Sequence, residues 1–201
     1  MKAYRMNWVS RLLRLIQDNH GTHRGWVRLL LAQASFVWGG LDPWTRIRVP
    51  VVKRLVFVCL GNINRSAFAD ALAQSLGAKT ASFGLATTTD VPANEMAIKT
   101  APLFGVCLIA HRATDETDFE YVDGDLLAVM EMRHVHRLVA LGYPAEAILL
   151  LGHWAAPRRL HVHDPHTLGA RYFVTCFAIL DSAVRSLLQD LRSQEHPVLS
   201  K

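Results

Sequence analysis

The chain has 201 residues, 51 % of them hydrophobic, and carries 22 Lys and Arg against 17 Asp and Glu, a formal net charge of +5. Its length allows one well-buried domain with an appendage. The three cysteines Cys59, Cys107 and Cys176 lack framework spacing, which excludes a disulfide scaffold and points to a reducing, cytoplasmic setting; Cys107 and Cys176 lie in apolar runs and read as core packing.

The basic character is local. Residues 1–54 hold ten Lys and Arg against Asp18 and Asp42, a net of +8, whereas residues 55–201 hold twelve against fifteen, a net of −3. Four of the five tryptophans, Trp8, Trp26, Trp38 and Trp44, lie in the basic stretch. Trp8, Val9, Leu12, Leu13, Leu15 and Ile16 share one arc of a helix with Arg11 and Arg14 opposite, so an amphipathic helix is expected. The next segment, Trp26 to Trp38, is apolar almost all round. Its uncharged run from Leu29 to Leu41 covers 13 residues, short of the roughly 20 that a membrane span needs. Two readings stay level: peripheral contact with an anionic membrane surface at its inner face, or packing on the rest of the chain or on a second copy. A cleaved secretory signal does not fit, because the charged lead-in is long and no clean small-residue cleavage site follows. Nucleic-acid binding is not expected, because the basic residues are interleaved with bulky aliphatics.

Beyond the extension, apolar strands alternate with helices. Strands are expected at Leu55 to Cys59, Lys79 to Phe83, Leu126 to Met130 and Ala147 to Leu151. Helices are expected at Arg65 to Leu76 (ended by Gly77), Asn94 to Phe104 (ended by Gly105), Glu131 to Leu141 (closed by Gly142) and Leu168 to Arg192. Unbroken apolar strands separated by helices imply an α/β fold, a four-stranded parallel sheet covered on both faces. Ligands in such sheets bind beyond the carboxyl ends of the strands, where Cys59 and Asp164 both fall.

The most informative stretch is Cys59, Leu60, Gly61, Asn62, Ile63, Asn64, Arg65 and Ser66, directly after the first strand. A cysteine and an arginine at this spacing can close a loop whose backbone N–H groups point inward as an anion nest, with a helix N-terminus adding positive potential. These groups, the Arg65 guanidinium and the Ser66 hydroxyl favour negative charge on the Cys59 sulfur, the nucleophilic form. Arg65 offers a planar fork for two phosphoryl oxygens. Gly61 and Asn62 supply residue types that tolerate left-handed backbone.

These residues resemble the low-molecular-weight protein tyrosine phosphatases. Ala81-Ser82-Phe83-Gly84 is similar to that family's second strand, Gly105 to Arg112 with His111 to its Gly-His-Arg segment, and Asp125 to Glu131 to its strand ending in Met-Asp. Asp164-Pro165 stands where the family carries its general acid. The resemblance covers about residues 53–195, leaving a helical extension at 1–52 and a tail at 196–201. It implies a flavodoxin-like fold and a phosphotyrosine phosphatase working through a phosphocysteine, with Cys59 as nucleophile, Arg65 as phosphate clamp and Asp164 as general acid and base. It also implies a polar network of Asn62, Ser82 and His111, with Pro165 and His166 beside the acid. No cofactor or metal is implied, and the histidines at 161, 163 and 166 match no second ligand pair elsewhere. In a bacterial member the resemblance implies a membrane-associated tyrosine kinase of polysaccharide export as substrate.

Two departures stand out. Asn64 occupies a position where many members have a second cysteine, so that protective disulfide cannot form here. His166, not an aromatic, follows Asp-Pro, and Leu85 to Val91 contains no Trp or Tyr to flank a substrate ring. Ile63 matches the tyrosine-directed members more than the phosphoarginine-directed ones. An arsenate reductase of the same architecture is the alternative; it would need a resolving thiol, for which only Cys107 is placed.

Overall fold

The computed structural model describes residues 8–195; the tail at 196–201 and the first seven residues lie outside them. In chain order the elements are α1 (Trp8–His20), α2 (His23–Val37), β1 (Arg54–Cys59), α3 (Arg65–Ser75), β2 (Thr80–Gly84), α4 (Glu95–Thr100), β3 (Asp125–Val129), α5 (Met132–Ala140), β4 (Ile148–Leu150) and α6 (Ala170–Glu195). The four strands form one parallel sheet in the order β2-β1-β3-β4. The chain leaves β1 toward β2, then returns past β1 to β3, so the sheet reverses its winding beside β1. That reversal opens a crevice at the strand's carboxyl end, where Cys59 sits.

Alternation along β1 sends Leu55, Phe57 and Cys59 to one face and Val56 and Val58 to the other. The first face is covered by α3, α4 and α6, with the Phe68 and Phe177 rings stacked at 4.1 Å. Burying one such ring contributes about 1.5–3 kcal/mol. The second face is covered by Val135 and Leu138 of α5 together with Leu41 from the N-terminal extension, against which Trp44 and Phe36 pack. The extension is therefore part of the sheet's covering. Of the two readings for the extension, packing on the rest of the chain is present among its described residues.

The expected Asn94 to Phe104 helix is α-helical only to Thr100; Ala101 to Phe104 is a 3-10 turn, because Pro102 lacks the N–H that an α-helix would use there. Cys107 is exposed, contrary to its expected place in the core, because only alternate residues of its run, Val106 and Leu108, turn inward. Cys176 is buried, and burial pushes its thiol well above the ordinary range.

Candidate active site

Strand β1 carries Cys59 to the edge of the sheet, and the chain closes a loop before entering α3 at Arg65. Carbonyls of this loop are spent on its surroundings: Cys59 O accepts from Leu85 N (3.0 Å), Leu60 O from Ala86 N (2.9 Å), Asn62 O from His111 Nε2 (2.6 Å) and Ile63 O from Asn94 N (3.0 Å). A trans peptide holds its C=O and N–H on opposite sides. Tying the carbonyls outward therefore turns the N–H groups of Leu60, Gly61, Ile63 and Asn64 toward the concave side, which is an anion nest. The Asn62 N–H reaches Cys59 Sγ at 3.3 Å.

Of the two residue types there that tolerate left-handed backbone, Asn62 takes that conformation, at φ 50°, and Gly61 does not. The Asn62 amide then orders the surroundings of Cys59. Its Oδ1 accepts from Thr114 N (2.9 Å), and its Nδ2 donates to Ser66 Oγ (2.8 Å). The Ser66 hydroxyl, already accepting, has its hydrogen free for Cys59 Sγ at 3.0 Å. His111 completes the brace from outside, and burial holds its pKa below the ordinary histidine value despite the bond to Asn62 O.

Ser82 does not join this network. Its hydroxyl donates to Asp70 Oδ2 at 2.9 Å, while Thr80 and Gln74 donate to Asp70 Oδ1 at 2.5 and 3.0 Å. Ser82 thus ties β2 to α3, since Asp70 lies on the face of α3 that meets β2. The expected trio reduces to Asn62 and His111, with Thr114 as the third member.

Arg65 is fully buried. Its Nη1 donates to Glu131 Oε1 (3.0 Å) and Val162 O (2.9 Å), and its Nη2 to Asp164 Oδ2 (2.7 Å). Its Nε has no partner among the described residues. Burial opposes the charge of this guanidinium, but Asp164, Cys59 and Glu131 outweigh it and raise its pKa. Glu131 is the counterpart. Burial would raise its pKa, yet Arg65, His134, His161 and Arg133 hold it at about 2. Arg133 approaches Oε1 at 2.7 Å and His161 Nδ1 approaches Oε2 at 3.4 Å. The two imidazoles are themselves pushed down by burial, to about 3 for His134 and about 4 for His161, so at neutral pH they are uncharged dipoles around a carboxylate.

Asp164 meets the loop from the segment between β4 and α6. Its Oδ1 accepts from His166 N at 3.1 Å, and Pro165 behind it is buried. Cys59, Leu60, Ile63, Val91, Asp164 and the exposed His166 line one cavity of about 240 Å³. Asn64 lines it too, buried, with Oδ1 unpartnered among the described residues. Aliphatic side chains form the walls where an aromatic flank is missing from the sequence.

Sequence reasoning placed Glu131 only at the end of the third strand and did not single out Thr114 or Asp70. A carboxylate directly after a wholly apolar strand was the available signal for Glu131, because such a group at the buried end of a sheet needs a cation. Thr114 contributes its backbone N–H, which no side-chain pattern reveals.

Comparison with known proteins agrees with this geometry. The family model for low molecular weight phosphotyrosine protein phosphatase matches residues 54–196. The low molecular weight protein-tyrosine-phosphatase Wzb of Escherichia coli K12 is 28 % identical over 144 residues, covering 70 % of this chain and 97 % of Wzb. Among solved structures, the tyrosine phosphatase AmsI of Erwinia amylovora superposes with a TM-score of 0.62 at 27 % identity, covering 70 % of this chain and 94 % of AmsI. Wzb from Escherichia coli K30, in complex with sulphate, gives 0.61 at 27 % identity over 70 % of this chain and 99 % of Wzb.

Proposed function

The chain belongs to the low molecular weight phosphotyrosine protein phosphatase family and is a phosphatase, and from that premise we propose that it cleaves phosphotyrosine in a protein substrate through a phosphocysteine at Cys59. The observation that carries this reading is a single cavity lined by both Cys59 and Asp164, with the buried Arg65 bonded to Asp164 and one guanidinium nitrogen still unpartnered.

The phosphoryl oxygens take the N–H groups of the loop together with Nε and Nη2 of Arg65, a bidentate fit. Binding sets the phosphoryl dianion in competition with Asp164 for Nη2. The Cys59 thiolate attacks phosphorus, the P–O bond to the phenol breaks, and Asp164 protonates that oxygen. Water then attacks the phosphocysteine and gives a proton to the Asp164 carboxylate. The S–P bond breaks, inorganic phosphate leaves, and the thiolate is regenerated. The phenyl ring rests on Leu60, Ile63 and Val91.

A membrane-associated tyrosine kinase is the partner that the family resemblance favours, and the extension supplies peripheral contact with an anionic membrane surface. Supporting this, Trp8, Leu12 and Leu15 of α1 and Leu30, Leu31 and Val37 of α2 are exposed, and so are Arg11, Arg14, Arg24 and Arg28 on the same two helices. Among the described residues no helix is long and apolar enough to cross a membrane, so such contact is interfacial.

Hydrolysis of phosphotyrosine peptides, with phosphoserine and phosphoarginine peptides beside them, tests the reading. Cys59→Ser is expected to remove turnover by at least about 10⁴-fold. Persisting hydrolysis in Cys59→Ser, or turnover confined to another phosphoester, would overturn it.

A further inference from the structure

The turn between α1 and α2 presses on the residue that precedes Asp164. Thr22 begins α2: its Oγ1 accepts from Gly25 N at 3.0 Å, the usual work of a helix cap. The same oxygen lies 3.1 Å from His163 Nε2. Because it already accepts from Gly25, its hydrogen is free to be donated to the imidazole, and burial holds the His163 pKa below the ordinary value, leaving a neutral ring that can accept.

Two glycines make this approach close. A Cβ on Gly21 would fall 2.6 Å from His163 Cδ2 and 2.8 Å from Tyr172 Cε1, and Gly21 has φ +73° besides. A Cβ on Gly25 would fall 2.8 Å from His163 Cγ and 2.3 Å from His20 O. From the other side Tyr172 donates its hydroxyl to His163 O at 3.2 Å. The extension also meets the chain on either side of His163, where Arg159 meets His20 Nδ1 at 2.9 Å and Thr175 of α6 donates to Asp18 O at 2.7 Å.

We infer that the Gly21–Gly25 turn is the positioning element of the proton-donating segment, with Thr22 acting through His163 to set where the Asp164 carboxyl group sits. The inference rests on Asp164 being the proton donor. It makes part of the N-terminal extension a contributor to chemistry, in addition to any membrane role.

Proton donation matters most when the leaving oxygen is strongly basic, so the test compares kcat/KM for phenyl phosphate and for 2,4-dinitrophenyl phosphate in the full chain. Thr22→Val is expected to lower the phenyl phosphate value about three- to tenfold more than the dinitrophenyl value, and Thr22→Ser to restore it. Equal loss on both esters, or no loss, overturns the inference, because a merely structural defect would not discriminate leaving groups. Asp164→Asn run in parallel separates the two claims. Discrimination in Asp164→Asn but none in Thr22→Val overturns the positioning role alone. Uniform loss in Asp164→Asn overturns the assignment of the acid, and this inference with it.

Discussion

The loop from Cys59 to Ser66 and the helical pair from Trp8 to Val37 are built by opposite rules. In the loop, a left-handed asparagine and a buried guanidinium persist because surrounding elements hold them: Thr114 and His111 on Asn62, and Glu131 and Val162 on Arg65. Conformations that cost energy survive only where neighbours over-determine them. The helical pair is held at one edge, through Gly21, Gly25 and Leu29, while its outer apolar side faces water, with Trp38 at 85 % and Trp8 at 74 % exposure. Side chains exposed in this way add little to folding, because they stay in contact with water.

The sharpest break of this contrast is at Glu131. Glu131→Ala leaves the Arg65 guanidinium short of its buried counter-charge and is expected to cost about 3 kcal/mol or more, together with most of the turnover. A urea midpoint equal to the wild type would mean that the loop holds Arg65 without help. Next in size is Asn62→Ala, which strands the Thr114 N–H and keeps the left-handed strain. A loss of about 1–3 kcal/mol is expected, with kcat/KM reduced about tenfold. Asn62→Gly would relieve the strain but not the lost amide, so recovery of stability without recovery of rate separates the two effects.

The third test uses pH. His134 and His161 have folded-state pKa values of about 3 and about 4, below the ordinary 6.5, so the unfolded chain binds more protons between those limits. Stability therefore falls as pH drops below about 6.5 and goes on falling toward 4. Glu131, held at about 2 against an ordinary 4.5, adds a further loss below about 4.5. Denaturant titrations from pH 7 to 4 should show this slope, and His161→Gln should flatten it; an unaltered slope would remove His161 as a source. The smallest effect on folding is expected on the outer helices. Leu30→Ser with Trp38→Ser should change stability by no more than about 0.5 kcal/mol, yet sharply reduce flotation with anionic liposomes. Point substitutions suit this test better than truncation at residue 53, which would uncover the core at Leu41. Equal flotation of both proteins would count against the membrane contact.

Much of the catalytic unit was legible because its signals are local. The four apolar strands match β1 to β4 within two residues at each end, and the helices after them follow the expected order. Cys59, Arg65 and Ser66 could be read together because they lie on one loop. Asp164 was reached through resemblance, since Asp-Pro by itself is an ordinary turn. Ser82 was misplaced in the polar network because a strand residue's hydroxyl can turn to either neighbour, and Asp70 of α3, several residues upstream, took it.

The sequence by itself determined the α/β alternation, the loop from Cys59 to Ser66 and the concentration of charge and tryptophan in the first 54 residues, because periodicity, loop spacing and composition are properties of neighbouring residues. Only the tertiary structure decided that Glu131 neutralises Arg65, that Thr114 orders Asn62 and that Thr22 reaches His163. Each of those contacts joins segments far apart in the chain, and whether a buried polar group is satisfied depends on what folding brings beside it.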